Sequence, residues 1–327
     1  MFLASPVEQP VASLKSSRLH ILRDRAAMLA RSRAFFADRN ILEVDCPLLS
    51  ASASVDAHID LITTSPYTGT RFLHSSPEYG MKRLLSEGIG DIFQLSHVFR
   101  DGECGSWHNP EFMMAEWYRV GMEFPNLIEE TLDFIRLFLG ELSAEKISYR
   151  DALKQHAQID YLTASMEELH ACLVQKEFAQ LSTEISNDKD DLLNLILGNL
   201  VEPHLGKEGL CVLYHYPATQ AALAQKRLLG DEEVAERFEV YYKGVELANG
   251  YHELTHAAEQ RKRLLESNIL RTQMSKQPLP IDENFLKALE KGLPDSCGVA
   301  VGFDRLMMLR HRTQTLEAIL PFGWKSA

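Results

Sequence analysis

The chain has 327 residues, of which 45% are hydrophobic and 9% aromatic, enough for the core of one large domain or two ordinary ones. A formal net charge of -12 argues against counterion-driven binding to nucleic acid or anionic membrane, although a local basic patch stays open. Five scattered cysteines with no C-x-x-C pair suggest neither a disulfide framework nor a thiolate zinc site, and fit a reducing cytoplasm.

No run approaches the ~18 apolar residues of a membrane span, and MFLASPVEQP lacks the basic start and long apolar stretch of a signal peptide. Residues 1–17 read as a loose lead-in. From Arg18 to Asn40 the spacing predicts an amphipathic helix, with Leu19, Leu22, Ala26, Leu29 and Phe36 inward and Arg23, Arg25, Arg31 and Arg33 forming a basic outer side. Ile41 to Asp45 alternates and stops at Pro47, as an edge strand does. Ser76-Pro77-Glu78 has the form of a helix start, with Ser76 as N-cap and Gly88 as the stop.

Asp91 to Arg100 reads as a strand, 101–110 as a glycine-bearing loop, and Phe112, Met114, Glu116, Tyr118 and Val120 as one face of the returning strand. Residues 126–142 have helical spacing. Residues 143–233 read as a mainly helical insertion without a chemical cluster. FEVYYKGVEL then forms two strands about a Lys243-Gly244 turn, followed by a polar helix over 255–272, a helix ending at Lys291, the strand GVAVGF and a helix from Asp304. Helices and antiparallel strands without βαβ alternation predict an α+β fold.

The densest chemistry is FRDGECGSWHNPEFMMAEWY, residues 99–118, which sets a cation, an aromatic face and a carboxylate around one cavity and suits a phosphate-bearing ring compound. In a plain two-residue hairpin Tyr242 faces Val245 and Glu239 faces Ala248, so Glu239 and Glu246 are diagonal neighbours roughly 7 Å apart and able to share a divalent cation. HELTH, residues 252–256, spells the H-E-x-x-H of zinc peptidases. Asn249-Gly250 before it is poor helix material, and Thr255 with Glu259 marks a helix start that leaves His252 outside the helix and His256 within it. A zinc reading is therefore the weaker one.

FR-x-x-E…HNPEF-x-x-x-E-x-Y resembles motif 2 of the class II aminoacyl-tRNA synthetases in its lysyl form, GVAVGFDRL resembles motif 3, and FFADRNILEVDCPLL resembles motif 1. The resemblance runs from about Arg18 to Phe322 and implies one catalytic domain over 18–327: an antiparallel sheet flanked by helices, with ATP and Mg2+ as cofactors. It implies a homodimer with Pro47 at the interface. It assigns Arg100 to the α-phosphate and Arg305 to the distal phosphates as catalytic groups. Asp101, Gly102, Glu103, Leu247 and Gly302 would line the nucleotide, Phe112 would stack on adenine, and His108 and Asn109 would anchor the loop above it. Glu239 and Glu246 would hold magnesium, and Ser76, Pro77, Glu78, Glu116, Tyr118, Asn249, Tyr251, Glu253 and Ala300 the amino acid. FRDGE in place of the common FRNEE and Met113 in place of threonine depart from the pattern.

Only some 17 residues precede the first helix, too few for the OB-fold anticodon domain of the lysyl enzymes, which with the acidic charge argues against tRNA charging and stable tRNA binding. AERFEVYYKGVELANG and VLYHYPATQAALA are similar to the elongation factor P lysine ligases, which join (R)-β-lysine to a lysine of elongation factor P. A truncated paralogue acting on α-lysine and tRNA, or a non-catalytic regulator on this fold, are the alternatives.

Overall fold

The computed structural model describes residues 18–52, 54–67, 69–175 and 188–327, so the expected lead-in at 1–17 lies outside the described residues. Twelve strands and nine α-helices are described. The main sheet contains β1 (Leu42–Glu43), β5 (Ile92–Phe99), β6 (Glu111–Val120), β12 (Ser296–Gly302), β11 (Val245–His252), β10 (Glu232–Tyr242), β8 (Leu210–Pro217) and β7 (Ala144–Ser148) in that spatial order, with β9 (Lys226–Leu229) also on β10. Its pairs are antiparallel except β1 with β5 and β7 with β8. A small sheet of β2 (Leu49–Ser50), β4 (Arg71–Leu73) and β3 (Thr63–Thr64) lies apart.

The period-2 pattern of the central strands separates two environments. Ala115 and Trp117 of β6, Val299 and Val301 of β12, and Leu247 and Ala248 of β11 are buried in one core with α1 (Arg18–Ala37), α3 (Phe124–Leu139) and α9 (Phe303–Arg310). Phe36 anchors that layer, stacking on Phe93 at 4.2 Å between centroids. The opposite face presents the polar partners of the alternation and is bounded by α2 (Glu78–Ser86), α7 (Ala257–Gln273) and α8 (Glu283–Gly292).

Helix α1 is present, but its inward face is turned from the expected one: Ile21, Arg25, Met28, Ser32, Phe35 and Phe36 are buried, while Leu19 and Ala26 are exposed. Arg25 belongs inside because it pairs with the buried Asp304 of α9, whose other oxygen accepts from the Met113 amide at 2.8 Å. A partnered guanidinium can take a core position that hydrophobicity alone gives to leucine.

Residues 143–233 also need correction. The helices are there, as α4 (Tyr149–Ala157), α5 (Met166–Gln175) and α6 (Lys189–Ile196), but β7, β8 and β9 lie in the same span and extend the main sheet. The run CVLYHY has the even burial of a two-sided strand, which periodicity does not separate from buried helix, and AEKIS is a short, partly exposed edge strand with no alternation to mark it. The three helices pack with Cys211, Leu213 and Tyr241 in a second core. They cover the polar face of the sheet beyond Glu239.

Candidate active site

A cavity of about 920 Å³ lies on the polar face of the sheet. It is built row by row across the strands. Glu116, Ala300, Asn249 and Glu239 are successive cross-strand partners on β6, β12, β11 and β10; Tyr118, Gly298, Tyr251 and Arg237 form the next row. All eight line the cavity.

A plain hairpin cannot deliver this, since Glu246 and Asn249 are an odd number of residues apart and would face opposite sides. The turn itself is as expected, Tyr242 opposite Val245 with positive φ at Lys243 (53°) and Gly244 (72°). The register then slips: Tyr241 pairs with Glu246 and Val240 with Ala248, leaving Leu247 as the extra residue of a β-bulge. Glu239 consequently faces Asn249, not Ala248. Leu247 and Ala248 both turn into the core, and Glu246 joins Asn249 and Tyr251 on the cavity side, with Glu253 just beyond the strand.

At one end of the cavity the charges are negative. Ser76 donates to Glu116 Oε2 (2.7 Å) and Tyr118 to Oε1 (2.8 Å), yet burial, with Glu78 adding to it, pushes the Glu116 carboxyl up to about 8. Lys82 Nζ, fully buried, lies 2.6 Å from Glu78 Oε1 and 2.5 Å from Glu253 Oε2. Burial and then Glu78 raise the Glu253 carboxyl, against the pull of Lys82. Gly298 leaves room for this group: a Cβ there would sit 2.3 Å from the Tyr118 ring and 2.4 Å from Glu253 Oε1. Asn249 Oδ1 is buried, faces the same space and accepts no hydrogen bond from the protein.

The other end holds cations. Arg100 follows β5 directly, its guanidinium 5.1 Å from the Phe112 ring centroid and 3.7 Å from Glu103, with a buried Nε that makes no bond to the protein. Arg305, in the first turn of α9, donates to the Glu246 carbonyl (2.8 Å) and to His108 Nε2 (3.1 Å). A guanidinium can only donate, so His108 accepts at Nε2, in keeping with burial and Arg305 holding its pKa low. Asn109 donates to the Glu111 carbonyl and accepts from the Trp324 amide, and the Leu316 amide bonds the Ser106 carbonyl, so the 101–110 loop is fastened to the C-terminal segment.

Between the two ends Glu239 accepts from Arg237 (2.5 Å) and Tyr241 (2.5 Å), while Arg305 lies 3.3 Å from Glu246 Oε2. Burial and then Glu239 push the Glu246 carboxyl up. Two carboxylates on one face, Glu239 buried and Glu246 half-buried, one raised by the other, fit a divalent cation, which would share them with the two guanidinium groups.

Of the expected site residues, Pro77, Asp101 and Gly102 are off the cavity wall. Pro77 occupies the cap position of α2, one residue later than expected; Ser76 Oγ still accepts from the Glu78 amide, at 3.0 Å, and also reaches Glu116. Asp101 accepts from the Gly102 amide and shapes the turn, where Gly102 has φ +77°. Two wall or wall-supporting cations were not expected. Arg237, two residues from Glu239 and so on its face, packs over Tyr216 at 4.3 Å. Lys82 follows Glu78 by one helical turn, a spacing at which opposite charges pair.

HELTH is not a helical pair of imidazoles. His252 ends β11 and its ring is held between Glu236 (2.5 Å) and Asp295 (2.7 Å), which raise its pKa to about 9 despite partial burial. A charged imidazole with both nitrogens donating has no lone pair for a metal. His256 is the N-cap of α7, accepting from the Glu259 amide; it was expected inside the helix, but an imidazole nitrogen can cap as an oxygen does.

The family model of the class II tRNA synthetases (D, K and N) matches residues 8–326. The chain belongs to that family. Within it, the chain is 43% identical over 321 residues to the elongation factor P--(R)-beta-lysine ligases of Salmonella gallinarum, Salmonella dublin and Salmonella heidelberg, matching 96% of this chain and 96% of each relative. Among the described residues, no helix is long and apolar enough to cross a membrane.

Proposed function

We propose that the chain is an ATP-dependent ligase that activates (R)-β-lysine as an acyl-adenylate and transfers it to a lysine side chain of elongation factor P, working as a homodimer. The observation that carries this reading is the polarity of one cavity: Glu78, Glu116 and Glu253 stand at one end, Arg100 and Arg305 at the other. A diamino acid and a nucleotide triphosphate are the pair of substrates that such a charge gradient sorts.

In the first step the substrate carboxylate attacks the α-phosphorus of ATP and pyrophosphate leaves. The chemistry asks for alignment and charge stabilisation more than for a proton donor. Arg100 takes the α-phosphate, with Phe112 beneath its guanidinium as the platform for the adenine, and Arg305 takes the distal phosphates. Glu239 and Glu246 would hold magnesium, which would supply further charge neutralisation on the phosphates. Glu116, Glu253 and Asn249 Oδ1 receive the ammonium groups, with Tyr118 and Tyr251 walling the chain between them. In the second step the neutral amine of the acceptor lysine attacks the activated carbonyl and AMP departs.

ATP–pyrophosphate exchange with (R)-β-lysine and with α-lysine, followed by the intact mass of elongation factor P, tests the reading. Exchange with (R)-β-lysine and a matching mass increase on the factor are expected. Exchange with α-lysine alone, with charging of tRNA, or no exchange at all, overturns it.

A further inference from the structure

Lys82 is the one fully buried lysine of the described residues, and it sits where a substrate amine is wanted, between Glu78 and Glu253. It comes from the middle of α2, while Glu253 follows β11, so the contact joins two walls of the cavity. Lys82 takes one oxygen from each carboxylate: Oε1 of Glu78 and Oε2 of Glu253. Glu253 Oε1 takes no bond from Lys82 and packs with the Tyr118 ring against Gly298 in the cavity wall.

An ammonium without partners would shed its proton in such a place, and two carboxylates without a cation would take one up. Together the three groups are mutually compensated. With Glu116 beside them, the cluster carries three carboxyl groups against a single cation.

Resting on the function proposed above, we infer that Lys82 is a positioning residue that ties the Glu78 and Glu253 carboxyl groups together and aims them at the substrate, so that the pocket admits amino acids with a cationic side chain. Two of the four oxygens are consumed by the protein's own cation, and the other two are presented to the ligand. The residue thereby converts a pair of repelling acids into a preorganised ammonium receptor.

Removing the charge has a sign that can be read. Without Lys82 nothing offsets the burial and the Glu78 charge that raise the Glu253 carboxyl, so it holds a proton at neutral pH, and a carboxylic acid does not hold an ammonium. Raising the pH removes that proton and restores the receptor. A merely structural lysine would give a variant whose defect is the same at every pH.

The experiment is steady-state exchange from pH 6.5 to 9.5 with Lys82→Met and Lys82→Gln, using (R)-β-lysine and, as controls, ATP dependence and the native protein. Expected for both variants is a KM for the amino acid raised by about tenfold or more at pH 7, falling toward the native value by pH 9, with KM for ATP unchanged. Lys82→Gln keeps a donor and most of the volume, so it reports if Lys82→Met does not fold. An unchanged amino-acid KM, or an increase independent of pH, overturns the assignment. Absence of amino-acid-dependent exchange by the native protein overturns the proposed function instead.

Discussion

Arg100 and Glu116 mark the two ends of the cavity, and each gives a prediction at the scale of one side chain. Arg100 brings a buried, unbonded Nε to the end of the cavity proposed for the phosphates. Arg100→Ala should cut the exchange rate by about 100- to 1,000-fold, as loss of one preorganised donor does, and a rate within tenfold of native would remove Arg100 from the phosphate site. Glu116, pushed up to about 8 by burial and by Glu78, is mostly protonated at pH 7. An arriving ammonium favours the ionised form, so binding should release a proton, and amino-acid affinity should rise with pH until it levels above about 8. Calorimetry in buffers of different ionisation enthalpy measures this release; an enthalpy independent of buffer at pH 7 would count against it. Ala300 lies in the row between Glu116 and Asn249, where one methyl narrows the space for an amine. Ala300→Gly should shift the ratio of α-lysine to (R)-β-lysine exchange by about 1–3 kcal/mol toward α-lysine, and an unchanged ratio leaves Ala300 as packing. That these residues share one cavity was legible because motif order and residue type point to it. Lys82 and Arg237 were not, since each has an ordinary reading as a surface charge until its burial is known.

At the scale of elements, the helices and strands flanking the motifs follow from period and turn chemistry, as β5, β6 and the Lys243-Gly244 hairpin show. The bulge at Leu247 does not, because Glu-Leu-Ala-Asn carries no glycine or proline to mark it. It was nonetheless implied: Glu246 and Asn249 were both expected in one cavity, which the parity of a regular strand forbids. Strand β12 gives a prediction of this scale. Gly298→Ala would press a methyl into Tyr118 and Glu253, and overpacking of about 1–3 kcal/mol should appear as a raised KM for the amino acid with little effect on KM for ATP. Equal losses for both substrates would point to a general distortion of the strand.

For the whole molecule, the N-terminal helix, the 99–118 hairpin and the last helix are locked by one buried ion pair, Arg25 with Asp304, and by the Met113 amide on the same carboxylate. Breaking such a pair from one side leaves a charge stranded, so Arg25→Met should cost about 3–5 kcal/mol of stability, read as a lower denaturation midpoint. Arg25→Met/Asp304→Asn should recover part of it, and a double variant no better than the single would deny the coupling. The overall α+β architecture was readable because helices and antiparallel strands mix without βαβ alternation, and motifs 2 and 3 fall on β5, β6 and β12 of the sheet. The burial of Arg25 was not, as its partner lies 279 residues away.

The extra residue in β11 has a consequence for heredity. Loss of a single codon at Leu247 would remove the extra residue and leave Glu246 and Asn249 two apart, so that a regular ladder keeps both on the cavity side, whereas loss of the codon for Gly250, outside the bulge, would set Asn249 and Tyr251 on opposite faces. Point substitutions along this hairpin test one contact at a time, whereas a gap of one tests the parity of them all.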